Sequence, residues 1–586
     1  MNKNQFTAFF RKGNRATWCV FFLFAFSIFL KCTLFHWLCY HCLLISSLWK
    51  APSTFFSFWL SKLSVAVFLA SFVFLSKKQW WTIILSFIFD IWIIADLIYF
   101  RANGLHLSID VMFMVNNMQG FWSSILAYLD GTYCFPLIST IYLCLIFPYC
   151  KTQSTWRGFC LTFGLAVLLH IVTVSCQLSN KFNLTSFIPC WTNDLLETNI
   201  DNISQKDLNS SSIVSLLPTI IVDKIRLMNY YNISYSPTEQ TFLQIIQDKR
   251  QGIDSIQIHP QNMILILVES LESWPFEFEI EEITPNFSAV KNNAHSLYAH
   301  RITSQKKYGM SGDGQMIIQT GLLPISHGVA CMLFPNNVYP NFGIFYDKSL
   351  LLNPNTAEVW NQELMRIAYN YKDALHAPAD IKYWKDKDIF QQLIDACFAT
   401  RNMGNSKLYC AITLNTHTPF DNIPLQRYQL PLDSDMPLTM QKYLTCLHYT
   451  DSCFGVFWDK FSQSKIADST IVVITGDHTI FQPDQLREFI PFAKEHNLSI
   501  QNGKNYCPLI IYSPSITEPI RIEDVCYQMD IYPTILSLIG AEGYYWQGFG
   551  VNLMDSTARH NRSITEEDAY ILSDKLIRSN WFATQP

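Results

Sequence analysis

Charge is what this sequence has least of. Only 15% of its 586 residues are Asp, Glu, Lys or Arg, where soluble chains carry about a quarter. Glycine is also scarce, at 21 residues, while apolar residues reach 49%. That combination excludes a disordered chain and a collagen-like one. There is no basic excess either, since the formal net charge is −5. A protein that tracks nucleic-acid phosphates is therefore excluded.

The charge is missing unevenly. Residues 16–177 are almost free of it, and the rest reads like a globular protein. The pattern is a transmembrane domain over 1–177, followed by enough chain for a separate core. Apolar stretches at 17–44, 54–75, 80–100, 132–149 and 158–177 predict about five spans, because crossing the hydrocarbon takes about 20 apolar residues. The length of the first run and the spans after it argue against a cleavable signal peptide. Lys31 lies inside that run, and its simplest reading is a cation snorkelling to an interface.

Orientation follows from the short loops. Lys3, Arg11, Lys12 and Arg15 precede the first span, Lys77 and Lys78 lie between the second and third, and Lys151 and Arg157 separate the fourth from the fifth. These alternate loops belong on the cytoplasmic side. The chain from about 178 onward is then expected outside a plasma (inner) membrane. Nine of the 17 cysteines lie at or before Cys176, in or beside apolar runs, where thiols usually serve as small packing residues. Among the eight that follow, no Cys-x-x-Cys pair supports a structural zinc site.

Residues 178–260 are rich in Asn, Ser and Ile and predict a linker arm with amphipathic helices near 213–230 and 237–250. Its Asn-x-Ser/Thr triplets, at Asn183, Asn202, Asn209 and Asn232, are at the frequency this composition gives by chance. From 261 to 560 the pattern becomes that of an α/β domain, and 561–586 reads as a C-terminal tail. Apolar runs at 262–268, 408–414, 470–475 and 508–512 alternate with helix-like segments near 385–400, 436–464 and 523–539. Continuous β-branched runs between helices predict a mostly parallel sheet covered on both faces. In such sheets ligands sit beyond the carboxyl ends of the strands.

Three of the runs end in chemistry. The first ends at Glu269, the second at Asn415-Thr416-His417, and the third at Gly476-Asp477-His478. Two carboxylates and an imidazole brought to one edge can hold a divalent metal. Taken singly, each acidic residue could equally be a helix cap. Tyr308–Gln315 is Gly-rich and precedes an apolar helical run, so Ser311 would stand at a helix N-terminus, where backbone N–H groups favour an anion. An ordinary Ser N-cap fits those residues as well.

The ordered pieces Asn262–Glu269, Thr284-Pro285-Asn286, Gly309–Asp313, Val359-Trp360-Asn361, Asn415–Phe420, Gly476–His478, Pro508–Pro514, Asp530–Thr534 and Gln547–Gly550 together resemble the lipoteichoic acid synthase branch of the alkaline phosphatase/sulfatase superfamily. The resemblance implies an α-helical membrane domain followed by an extracytoplasmic sulfatase-like catalytic domain. It implies one divalent cation, Mn2+ or Mg2+, held by Glu269, Ser311, Asp477 and His478, with Ser311 as the nucleophile where these enzymes carry Thr. His417 would contact phosphate or act as acid/base, and Trp360 would line the head-group pocket, although an ordinary buried aromatic fits Trp360 equally. Met310 and Gln362 stand where the synthases commonly carry Lys and Arg, so two cations that could hold phosphate are missing.

The implied activity is transfer of a phosphoglycerol-type head group from a phosphatidylglycerol-like membrane phospholipid to an acceptor hydroxyl on a glycan or glycolipid, through a seryl intermediate. Alternatives are phosphoethanolamine transfer, sulfatase or phosphodiester hydrolysis, and a non-catalytic lipid-binding scaffold. Sulfatases need Cys or Ser in a Cys/Ser-x-Pro-x-Arg setting. The nearest match, Ser273–Glu277, lacks the Arg.

Overall fold

The computed structural model describes residues 13–40, 45, 52–103, 131–146, 150, 152–178, 233–251, 261–278 and 283–584, except 327, 382, 400–405, 429, 434 and 482. The chain divides into two compact units, and the later boundary falls between Asn229 and Tyr230.

Among the described residues, the first unit holds helices α1 (Gly13–Tyr40), α2 (Pro52–Ser71), α3 (Trp80–Asn103), α4 (Phe135–Ile146) and α5 (Trp156–Leu178). α1, α2, α3 and α5 are long and apolar enough to cross a membrane. The fourth expected span is shorter: a 3-10 turn at Gly131–Cys134 leads into the 12 residues of α4. Lys31 corrects the snorkelling expectation, because its side chain is buried. Its ammonium donates to Asp90 on α3, to Ser86 Oγ at 2.7 Å and to Thr140 Oγ1 on α4 at 2.7 Å. A charge that finds a counter-charge and two hydroxyls inside the bundle has no reason to reach for water.

The connections at one end of this unit lie side by side. Gln153 N–H donates to Thr17 Oγ1 at 2.8 Å, and Thr152 Oγ1 donates to the Lys77 carbonyl at 3.1 Å. The basic residues Arg15, Lys77, Lys78 and Arg157 flank these contacts, and Trp80 and Trp156 are exposed beside them. Exposed Trp next to cations is the composition of a membrane–water interface.

The second unit is an α/β domain around a nine-stranded sheet. Its strands are β1 (Asn262–Val268), β2 (Ser296–Thr303), β3 (Lys348–Asn353), β4 (Asp373–His376), β5 (Lys407–Ile412), β6 (Thr470–Gly476), β7 (Cys507–Tyr512), β8 (Ile520–Ile522) and β9 (Cys526–Tyr527). The order is β4-β3-β5-β1-β6-β7-β2-β8, with β9 also on β2. Only β7 runs against the others.

The central strands are apolar throughout because both faces are covered. Met263, Leu265 and Leu267 of β1 enter one core, while Ile264, Ile266 and Val268 enter the other. The alternation puts successive side chains on opposite faces, so a strand buried twice reads as an unbroken apolar run.

Two boundaries need correcting. The helix Pro237–Gln251 belongs to this unit: Leu243 and Ile246 pack into its first core, and Glu239 pairs with Lys575 at 2.7 Å. The other helix expected in the arm, 213–230, lies outside the described residues. Residues 561–586 are no loose tail. The helix Glu566–Arg578 and the turn Trp581–Thr584 bury Leu572, Leu576, Ile577, Trp581 and Phe582 in the same core. Thr565 caps that helix through the Asp568 N–H, and large apolar side chains are worth about 1.5–3 kcal/mol each when fully buried.

Candidate metal and nucleophile site

Parallel register places the carboxyl ends of β5, β1 and β6 next to one another. Glu269 follows β1 directly, and Asp477 and His478 follow β6. Their ligand atoms lie within 4.8 Å of one another, and all three residues are buried. β2 runs in the same direction, so the loop after Thr303 rises to that edge and the helix Ser311–Thr320 starts there. Ser311 Oγ stands 3.1 Å from Glu269 Oε2 and 3.2 Å from His478 Nε2. The structure thus brings together all four residues that the sequence proposed as ligands.

The backbone around the cluster fixes these atoms. Asp477 Oδ1 accepts from the N–H groups of Ser270 (2.9 Å) and His478 (2.8 Å). Glu269 N–H donates to Thr413 Oγ1 at 3.1 Å, and Ser270 Oγ donates to Glu269 Oε1 at 2.8 Å. Gln528 Nε2 holds the Asp477 carbonyl at 2.5 Å. Gly314 packs the Ser311 helix directly on this loop. A Cβ there would come within 1.9 Å of the Asp477 carbonyl oxygen, so only glycine allows the approach.

The electrostatics call for a cation. His478 Nδ1 lies 3.1 Å from the Thr479 carbonyl, which assigns the ring proton to Nδ1 and leaves Nε2 as an acceptor. Burial pushes the imidazole down to about 4, so it is neutral. Burial, and then the Asp477 charge, push the Glu269 carboxyl well above the usual range. Ser311 has one proton for two acceptors, Glu269 Oε2 and His478 Nε2. Asp477 Oδ2 is buried with no hydrogen-bond partner. An orphaned carboxylate oxygen facing a second carboxylate, a neutral imidazole and a hydroxyl fits a divalent cation by charge and by donor type.

Trp360 and His417 are near this cluster. An ideal Cβ on Gly312 would lie 3.4 Å from the Trp360 ring, which sets the indole over the first turn of the Ser311 helix. Trp360 and Asn361 both have positive φ, at 54° and 49°. Such backbone is costly for an aromatic residue and is typically kept where position matters. His417 follows β5, with Nδ1 2.6 Å from the Thr418 carbonyl, and is close enough for its charge to press on His478. Gln362 is buried and donates to Gln315 Oε1 at 2.9 Å.

Sequence reasoning missed Thr413, Ser270 and Gln528. Thr413 and Gln528 hold the backbone of Glu269 and Asp477, and Ser270 binds both carboxylates; most of these contacts span long sequence separations that no local motif signals. It also missed Asp313, whose carboxylate gathers the N–H groups of Lys307 and Gly309 and shapes the loop before Ser311. The acidic residue in the first helical turn was the available cue.

Comparison with known proteins agrees with this architecture. Residues 1–200 match the lipoteichoic acid synthase N-terminal domain, and residues 332–541 match the sulfatase family. The chain is 21% identical over 515 residues to lipoteichoic acid synthase 2 of Bacillus subtilis, covering 82% of this chain and 75% of that one. It is 22% identical over 376 residues to the lipoteichoic acid synthase-like protein YvgJ of the same organism, covering 60% of this chain and 57% of that one. Among solved structures it is similar to the lipoteichoic acid synthase LtaP of Listeria monocytogenes, with TM-score 0.48 and 18% identity over 58% of this chain and 98% of that one. The first 200 residues thus match a lipoteichoic acid synthase N-terminal domain and the α/β unit a sulfatase-type domain, and the chain is similar to lipoteichoic acid synthases across both.

Proposed function

We propose that this protein moves a phosphoglycerol-type head group from a phosphatidylglycerol-like membrane phospholipid to an acceptor hydroxyl on a glycan or glycolipid, with Ser311 as the covalent carrier. The observation that carries this reading is the Ser311 hydroxyl, placed at the start of a helix and between Glu269 Oε2 and His478 Nε2. A helix cap that served only the helix would have no need of a buried carboxylate and imidazole around it.

Glu269, Ser311, Asp477 and His478 would hold one divalent cation, Mn2+ or Mg2+, whose charge lowers the pKa of a hydroxyl. Glu269 Oε2 and His478 Nε2 orient the Ser311 proton away from the attacking lone pair. Oγ attacks phosphorus as its proton passes to Glu269 Oε2, the P–O bond to diacylglycerol breaks, and protonated His417 gives its proton to the departing oxygen. The acceptor oxygen then attacks the same phosphorus, its proton passes to His417, and Ser311 Oγ leaves, taking its proton back from Glu269. Trp360 closes one side of the head-group space.

The domain plan that goes with this reading is a helical membrane unit and an extracytoplasmic catalytic unit. The clustering of Arg15, Lys77, Lys78 and Arg157 at one end of the helices supports that orientation. The test is lipid mass spectrometry on cells and on purified protein in phosphatidylglycerol micelles. Diacylglycerol should accumulate with the wild type and not with Ser311→Ala. A product carrying phosphoethanolamine instead of phosphoglycerol would replace the donor, and equal diacylglycerol from both proteins would refute the seryl carrier.

A further inference from the structure

The site has a cation in its wall that the metal set does not use. Lys306 lies in the loop between β2 and the Ser311 helix and is partly buried. Among the described residues, its ammonium makes one hydrogen bond, to the sulfur of Met310 at 3.2 Å. A thioether is a weak acceptor, so this ammonium has no ionic partner of its own.

The neighbouring carboxylates are engaged by other donors, apart from Asp477 Oδ2, to which Lys306 makes no hydrogen bond either. Asp313 accepts from the N–H groups of Lys307 and Gly309. Glu272 accepts from Ile480 and Phe481 N–H groups, Trp274 Nε1 and Asn505 Nδ2. Asp477 Oδ1 accepts from Ser270 and His478. Lys306 nevertheless lies within electrostatic reach of Asp477, and its charge presses on His478. Burial draws its pKa down to about 8, which still leaves it mostly charged at neutral pH. The adjacent Lys307 is turned elsewhere, with its ammonium 4.0 Å from the Tyr570 ring centre.

A partly buried ammonium whose one protein partner is a sulfur has donors to spare for an anion. The residue it touches, Met310, is next to Ser311, so the anion that can satisfy it is one bound at the nucleophile. We propose that Lys306 holds the non-bridging phosphoryl oxygens of the phosphodiester at Ser311, supplying the cation that the uncharged Met310 and Gln362 do not. The inference rests on the reading of Ser311 as the phosphoryl-accepting residue.

The experiment uses the full chain in detergent, loaded with Mn2+, and the probe is glycerol phosphate titrated by calorimetry, with glycerol as the uncharged control. Lys306→Met should weaken glycerol phosphate binding ~10–100-fold, the range of one charge-assisted hydrogen bond. Glycerol should behave alike in both proteins. Lys306→Arg should recover most of the affinity, and Mn2+ binding and the melting midpoint should stay at wild-type values in both variants. In the diacylglycerol assay, Lys306→Met should raise KM for phosphatidylglycerol more than it lowers kcat.

Wild-type glycerol phosphate affinity in Lys306→Met, with Mn2+ bound, would overturn the inference while leaving the seryl carrier intact. Loss of affinity that Lys306→Arg cannot restore, accompanied by lost Mn2+ binding, would also overturn it and make Lys306 a structural residue. Lys306-dependent binding in a protein that releases no diacylglycerol would uphold the anion site and remove the transferase reading alone.

Discussion

In the helical unit, the buried Asp90 carboxylate meets the Lys31 ammonium and the hydroxyl of Thr140. In the α/β domain, the buried carboxylates of Glu269 and Asp477 meet a neutral imidazole and a serine. The first arrangement is closed, since the chain supplies its own counter-charge. The second is not: two carboxylates face a neutral imidazole and a hydroxyl, a set that a divalent cation would complete on the proposed reading. Buried charge alone does not mark function; buried charge that the chain leaves unbalanced does.

This contrast can be broken or sharpened by mutation. The largest effect is expected at Ser311. Ser311→Ala should lower diacylglycerol release by roughly four orders of magnitude or more, as loss of a covalent nucleophile does, with no comparable change in melting. Mere loss of a cap would cost about 1 kcal/mol and leave turnover near wild type, which would end the nucleophile assignment.

Next comes the closed pair. Lys31→Met should destabilise the helical unit by ~3–5 kcal/mol, because Asp90 is left buried and unpaired. Lys31→Met combined with Asp90→Leu should recover much of that loss in detergent-melting measurements. An additive double variant would show that the two charges do not compensate each other.

The same kind of change should have the opposite sign in the α/β domain. Glu269→Gln should stabilise the metal-free protein by ~1–2 kcal/mol, since neutralising one carboxylate relieves its desolvation and its repulsion by Asp477. The pH dependence follows from the raised Glu269 pKa. The folded state binds that proton more tightly than the unfolded chain, so metal-free stability is greatest below the unfolded glutamate pKa. It falls as pH rises from there toward the folded value. Mn2+ should remove that slope by selecting the ionised carboxylate. Chemical-denaturation series with and without chelator, across pH, give the comparison.

The smallest effect is expected at the pocket wall. Trp360→Ala should raise KM for the lipid a few-fold, on the order of 1 kcal/mol of lost aromatic contact, while Mn2+ binding measured by calorimetry stays unchanged. A shift in Mn2+ affinity would move Trp360 from substrate to scaffold.

The residues differ in how openly they announce these roles. β1, β5, β6 and β7 were legible because both of their faces are buried, which leaves no polar positions to interrupt the run. β2, with the sequence Ser-Leu-Tyr-Ala-His-Arg-Ile-Thr, and the short β4, β8 and β9 were not, since partial exposure and brevity erase the pattern. Glu269, Asp477 and His478 could be placed by the strand-end rule before any distance was known. The C-terminal helix was misjudged although Ala569, Leu572 and Leu576 already carried the i, i+3, i+7 spacing of a buried face. Lys31 was misjudged for a different reason. Its partner lies 59 residues away, and no local pattern connects the two.

That separation has a consequence for how the protein is made. α1 leaves the ribosome before α3 and enters the bilayer with an ammonium, and the carboxylate that neutralises it arrives only with α3. A lone charge near the middle of a helix adds about 2.5–3.5 kcal/mol to insertion. Until α3 is threaded, α1 is therefore a reluctant lodger in lipid, best kept beside the insertion machinery. Thr140 joins later still, when α4 follows. The pair thus acts as a clasp that fastens only when the helices have been delivered in order. Stalled chains ending before residue 90 should crosslink to the insertion apparatus through α1, and chains extending past α3 should have let go.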